Sequence, residues 1–199
     1  QHRMLYPDEE STLRRIEEDA KIVDRKYRMF IQIQTQEELS ATDFLRAKFT
    51  LRENLDNLCS ELDRYLAYEY GVKIADKKTY KQWLNSHQPF HWFVEFFGIM
   101  NAGGFDVIIG NPPYVEYSKV KKTYTINGYE SESCGNLFAY VLEKSINLLH
   151  SDSYIGMIVP HSVSATYRQE ILQRIIINRL RGSFSYYSRR PGKLFSGAD

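Results

Sequence analysis

The sequence predicts an α/β protein in which a partial parallel sheet is preceded by a helical hairpin. Two observations carry this. Residues 1–100 repeat apolar side chains at helical spacing, whereas residues 101–199 alternate short apolar runs with helical stretches. The division assigns 1–100 to a helical region, hairpin plus aromatic linker, and 101–199 to the α/β portion.

In chain order, Leu13, Ile16, Ala20, Val23, Tyr27 and Phe30 recur at alternating spacings of three and four, the seam of an amphipathic helix. Leu51, Leu55, Leu58, Leu62 and Tyr65 repeat the pattern. Ser40 to Asp43 supply N-cap candidates between them, and Gly71 is a natural stop for the second helix. Two long antiparallel helices satisfy this pattern. Such a hairpin serves as an arm that touches DNA, as a spacer, or simply as an insertion that packs on itself. Pro89 breaks any helix carrying both His87 and His91, so this pair predicts no metal site.

The run Phe105-Asp106-Val107-Ile108-Ile109-Gly110 is β-branched and apolar, which predicts a fully buried strand entered through the Gly103-Gly104 turn. Asn136 to Leu149 reads as a helix with Leu137, Tyr140, Val141, Lys144 and Leu148 sharing most of one face. Tyr154 to Val159 reads as a second buried strand ended by Pro160, Ala165 to Leu180 as another helix, and Phe184 to Tyr187 as a third strand. Strand, helix, strand, helix, strand is the rhythm of a parallel sheet with right-handed crossovers.

Composition excludes several classes. No run among the 199 residues approaches the length of a membrane span, and no signal peptide is visible. Cys59 and Cys134 are too scattered for a disulfide framework or a zinc site, which suits a reducing cytoplasm. A formal net charge of +1 excludes a strongly basic nucleic-acid binder, so any DNA contact must come from local patches or from parts of the protein outside these residues.

Chemistry concentrates where the first strand ends, at Asn111-Pro112-Pro113-Tyr114. Proline has no N–H, so the ladder stops at Asn111, and each proline holds the residue before it in extended geometry. The Asn111 amide oxygen and the Pro112 carbonyl are thereby presented stiffly at the carboxyl edge of a sheet, where α/β proteins bind ligands. Two fixed acceptors beside an aromatic ring suit a planar NH2 group, such as the exocyclic amine of adenine. When a methyl group is transferred to that nitrogen it becomes tetrahedral and gains positive charge, and the acceptors stabilise this state more than the flat one. The same residues also read as a strand-ending Pro-Pro turn with a capping Asn and a surface Tyr.

Gly104 to Val115 resembles motif IV of the N6-adenine-specific DNA methyltransferases, above all the class found in type IIG restriction–modification enzymes and related phage-defence methylases. Phe90 to Phe97 resembles the aromatic segment that precedes that motif. Gly135 to Leu142 is similar to the helix of motif V, Tyr154 to Ser162 to the strand of motif VI, and Lys193 to Asp199 to the start of a later strand. The resemblance implies the back portion of a Rossmann-like methyltransferase sheet. It implies that Asn111 and Pro112 grip the amine, that Tyr114 stacks on a flipped adenine, and that Asn111 and Pro113 border S-adenosylmethionine. Double-stranded DNA is the implied partner, together with the remaining domains of the same polypeptide.

In the family the loop after this motif borders the target base. Here Glu116 to Tyr124 interleaves lysines with tyrosines, so Lys119, Lys121 and Lys122 are candidates for phosphate contact and Tyr117 for stacking. A solvated loop is an equal reading of this stretch. His161, just beyond the second strand, is a candidate for the pocket lining, although such a residue is often only a polar strand end. Arg189, Arg190 and Lys193 form a basic cluster that suits either phosphate or solvent.

The family's glycine-rich cofactor turn has no counterpart in these residues, and the chain opens on Gln1 rather than Met. The sequence therefore reads as a piece of a larger protein, inactive alone. Two other functions use parts of the same pattern: methylation of another planar nitrogen, in a protein glutamine or a ribosomal guanine, and non-catalytic binding of DNA or a protein partner.

Overall fold

The computed structural model describes residues 9–34 and 41–187, in two compact units that divide between Ala102 and Gly103. The N-terminal unit is built on α1 (Glu9–Gln34) and α2 (Ala41–Glu69). Phe30 lies 5.3 Å from Phe44 between ring centres, while Arg15 pairs with Glu61 far along the hairpin, so the two helices run antiparallel. Val23, Leu51 and Leu58 are buried in the seam, with Ile16, Ala20, Tyr27, Phe30, Leu55 and Leu62 packed around them. The three-and-four spacing produces this contact directly, because it keeps one stripe of each helix facing the other. Ser40, one of the expected cap residues, lies outside the described residues.

Asp76 opens α3 (Lys77–His87) by accepting the amide protons of Lys78 and Thr79 at 3.0 and 3.3 Å. The helix ends at Gln88, in the left-handed region, and Pro89 prevents its continuation. Two short helices follow, α4 (Trp92–Glu95) and α5 (Phe97–Asn101). They bury Val94 and Phe97 against the hairpin, with Phe97 meeting Tyr27 edge to face at 5.5 Å. The aromatic linker is thus part of the hairpin's core.

The C-terminal unit begins with β1 (Phe105–Gly110) and continues through a short helix, α6 (Tyr117–Val120), to α7 (Leu137–Asn147). Next come β2 (Leu149–Met157), α8 (Ser162–Ala165) and α9 (Glu170–Arg179). β1 and β2 pair in parallel, with Ile108 opposite Ile155 and Gly110 opposite Met157, and α7 is the crossover between them. Phe138, Ala139, Leu142 and Ile146 of α7 meet Val163, Leu172 and Ile175 in the core, against which Ile155 and Met157 pack from the sheet.

Four expectations are corrected. Phe184 to Tyr187 form no strand, and the sheet has two strands among the described residues. β1 is not fully buried: Val107 is 53% and Ile109 82% exposed, beside Tyr154 at 77%. Helix packing covers only one face of this sheet within the described residues, so a run with the composition of a doubly covered strand is half open. The face expected on α7 is only partly a buried one: Tyr140 and Leu148 are buried, but Val141 is exposed, and Phe138, Leu142 and Ile146 point into the core from another side. That helix packs on two sides at once, with Tyr140 against Tyr117 and Tyr129 opposite the core, which erases a single stripe.

Finally, the helix expected over 165–180 is broken. Thr166 is extended, its hydroxyl bonded back to the Ser162 carbonyl at 3.0 Å, and a 3-10 turn at Tyr167–Gln169 precedes α9. The buried Gln169 amide donates to the Cys134 carbonyl, and Gln173 donates to the carbonyls of Val163 and Thr166 beside the break. The strand end moves only slightly, from Val159 to Met157. The Lys193–Asp199 segment and the basic cluster of Arg189, Arg190 and Lys193 lie outside the described residues.

Gly104 shows why the turn into β1 needs glycine. Its φ is +123°, and a Cβ there would meet the Leu148 carbonyl oxygen at 2.5 Å. Gly104→Ala is expected to destabilise this unit by about 2 kcal/mol or more, from the strained backbone together with the clash. A drop in the urea midpoint without a change of slope is the expected observation.

Candidate active site at the end of the first strand

The parallel register fixes the site. Because Gly110 and Met157 are paired, Asn111 and Ile158 leave the sheet at the same edge, and the Ile158 N–H donates to the Gly110 carbonyl at 3.0 Å. Pro112 is buried, while Asn111, Pro113 and Tyr114 are exposed. The Tyr114 hydroxyl shares its proton between the Asn111 amide oxygen at 2.8 Å and the Ile158 carbonyl at 2.9 Å. Burial alone pushes that phenol's pKa above the ordinary value. Its ring stands edge-on to Phe138 at 6.5 Å. The tetrapeptide is therefore folded back across the ends of both strands.

An amide oxygen carries two lone pairs, so Tyr114 occupies one and orients the amide while the other stays available to a donor. The arrangement offers an exposed acceptor, an exposed ring and a rigid backbone within one turn of chain. Asn111 and Pro113 both lie exposed at this edge.

The chain beyond Tyr114 is tied down by residues that sequence reading missed. Glu116 and Asn136 form an antiparallel bridge, flanked by Leu137 N–H to the Val115 carbonyl and Tyr117 N–H to the Gly135 carbonyl, both 2.9 Å. Arg168 reaches across to the Glu116 carboxylate at 2.7 and 3.4 Å, a forked contact. Asn136 donates to the same carboxylate at 3.2 Å and accepts the Phe138 N–H at 3.4 Å as the cap of α7. Gly135, with φ +63°, makes room for the guanidinium: a Cβ there would sit 2.2 Å from Arg168 Nη2. Glu116 and Arg168 are 52 residues apart, and no spacing rule would have joined them.

The buried Glu143 accepts the amide protons of Glu130 and Ser131 at 3.0 and 2.8 Å and fixes the far end of the loop. Tyr117 is half-buried, its ring 5.6 Å from Tyr140 and its hydroxyl accepting the Ile126 N–H at 2.9 Å. Burial pushes the Tyr140 phenol up to about 12, with the charge of Glu132 adding to it. Lys119, Lys121 and Lys122 are exposed on and just after α6. His161 is exposed at the carboxyl edge, its ring 5.1 Å from that of Tyr186.

The resemblance to a restriction–modification methylase read from the sequence is supported by comparison with known proteins. The model of the Eco57I restriction-modification methylase family matches residues 17–182, and the chain belongs to that family. A protein of Methanocaldococcus jannaschii named as a type II restriction enzyme and methyltransferase is 31% identical over 111 residues. Those residues are 56% of this chain and 9% of that protein, so the chain spans about a tenth of the curated relative it matches. No solved structure matches. No helix among the described residues is long and apolar enough to cross a membrane.

The Arg168 hydrogen bond, helped by Asn136 and opposed by burial, holds the Glu116 carboxyl below its ordinary pKa. A carboxylate whose pKa is depressed on folding contributes stability above its unfolded pKa and loses it as pH falls through the folded one. Arg168→Met is expected to cost at most about 1 kcal/mol at neutral pH, since both side chains are partly in solvent. The cost should vanish in acid, and urea midpoints of wild type and variant compared across that range would check it.

Proposed function

We propose that this chain forms the base-holding end of an S-adenosylmethionine-dependent DNA methyltransferase, which methylates N6 of a flipped adenine within a restriction–modification or phage-defence enzyme in the cytoplasm. One observation carries the reading: an exposed Asn111 amide oxygen, oriented by Tyr114, at the carboxyl end of a parallel strand stopped by two prolines. Membership of a restriction–modification methylase family favours DNA over a protein glutamine or a ribosomal guanine as substrate.

Asn111 and the Pro112 carbonyl accept the two N–H bonds of the amine, and Tyr114 offers its ring face to the base. No general base is needed before attack, because the proton leaves once the nitrogen is tetrahedral. S-adenosylmethionine supplies the activated methyl group, with Asn111 and Pro113 along its border. Lys119, Lys121 and Lys122 contact phosphates from a loop anchored by Tyr117, and His161 lines the same edge. The rest of the cofactor pocket belongs to other parts of the polypeptide, since no glycine-rich turn of the required kind occurs in this sequence, and the isolated chain is inactive.

Methyl transfer by the full-length protein to double-stranded DNA tests this. Wild type should yield N6-methyladenine, and Asn111→Ala should lose roughly 10²–10³-fold in rate, the cost of one transition-state acceptor. Product on cytosine, RNA or protein instead would overturn the substrate, and an unchanged Asn111→Ala rate would overturn the role of that residue. Tyr114→Phe keeps the ring but loses the hydroxyl that orients Asn111. A smaller loss, about tenfold, is expected there in single-turnover rates.

A further inference from the structure

Far along the sequence from Asn111, within the helical unit, three different metal-binding groups converge. Cys59 and Asp63 are one turn apart on α2, so both project from one face of that helix. His91 stands at the start of α4, where it makes no side-chain capping bond; its Nε2 lies instead 2.7 Å from Asp63 Oδ1. The Cys59 sulfur, an Asp63 carboxylate oxygen and a His91 ring nitrogen all lie within 4.8 Å of one another, and all three residues are half-buried.

We propose that Cys59, Asp63 and His91 bind a zinc ion that clips α2 to the turn carrying His91. Thiolate, imidazole and carboxylate together suit a borderline-soft ion and disfavour magnesium or calcium, which take oxygen ligands. With zinc–ligand distances of about 2.0–2.3 Å, tetrahedral ligands stand roughly 3.5 Å apart, so rotation of these side chains is enough to close the set.

Glu95 sits one turn after His91, joined to it by the bond from the Glu95 N–H to the His91 carbonyl at 3.0 Å. The converging set is Cys59, Asp63 and His91. On binding, a zinc–sulfur bond forms and the thiol proton passes to solvent. His91 coordinates through Nε2 with its proton on Nδ1, and the hydrogen bond to Asp63 is exchanged for two bonds to the metal. The ion closes the segment 63–91, which contains α3, into a loop.

Addition of Co2+ to the whole chain, stripped of metal with a chelator, tests the site. One equivalent should give thiolate-to-cobalt charge-transfer absorption, which Zn2+ then displaces, and Zn2+ should raise the melting temperature. Cys59→Ser should abolish the charge-transfer band. Asp63→Asn and His91→Gln, close in shape to the native residues, should weaken Co2+ binding by at least about tenfold. Absence of the band in wild type together with an unchanged melting temperature in Zn2+ would overturn the proposal. So would a band that survives Cys59→Ser.

Discussion

The bond from the Ile158 N–H to the Gly110 carbonyl, 3.0 Å long, closes the last rung of a parallel ladder, and the geometry around Asn111 depends on it. It brings the ends of β1 and β2 level. Only then can the Tyr114 hydroxyl reach both the Asn111 amide and the Ile158 carbonyl. A slip of one residue in register would send every side chain of β2 to the opposite face and separate those partners. The prolines add what the ladder cannot: they end the strand at a fixed residue and leave the next turn little freedom.

Around this rung the unit builds a second layer of restraint from charge. Glu116, Arg168 and Asn136 join the chain after Tyr114 to the cap of α7 and to the break before α9. The pair is partly exposed, so its value lies less in energy than in direction: a forked guanidinium contact specifies an angle as well as a distance. Glu143 does the same for the end of the loop, offering both oxygens to backbone N–H groups from inside the fold. The lysines between these anchors are left facing outward.

Much of this was legible in the sequence, for reasons that differ from one element to the next. The hairpin was readable because its seam residues obey one period and bury one stripe, as Val23 and Leu58 do. The tetrapeptide was readable because proline leaves few geometries open. Periodicity failed at α7, where Tyr140 and Phe138 are both buried on different sides of one helix, and at Thr166, where side-chain bonding to the backbone broke a helix that the pattern had run through. β1 looked buried because β-branched composition reports what a strand can pack against, and Ile109 shows that the described residues cover only one side. Glu116 with Arg168, and Asp63 with His91, were invisible for a simpler reason: contact across tens of residues leaves no local spacing to read.

The bond from Tyr114 to Ile158 spans 44 residues, which has a meaning for the order in which the protein is made. A ribosome adding about 5–20 residues per second exposes Tyr114 roughly 2–9 s before Ile158. Throughout that interval the tetrapeptide has no second strand to fold back upon. The edge at Asn111 is thus a late product of vectorial synthesis, completed only when the crossover helix has emerged and delivered β2 to its side.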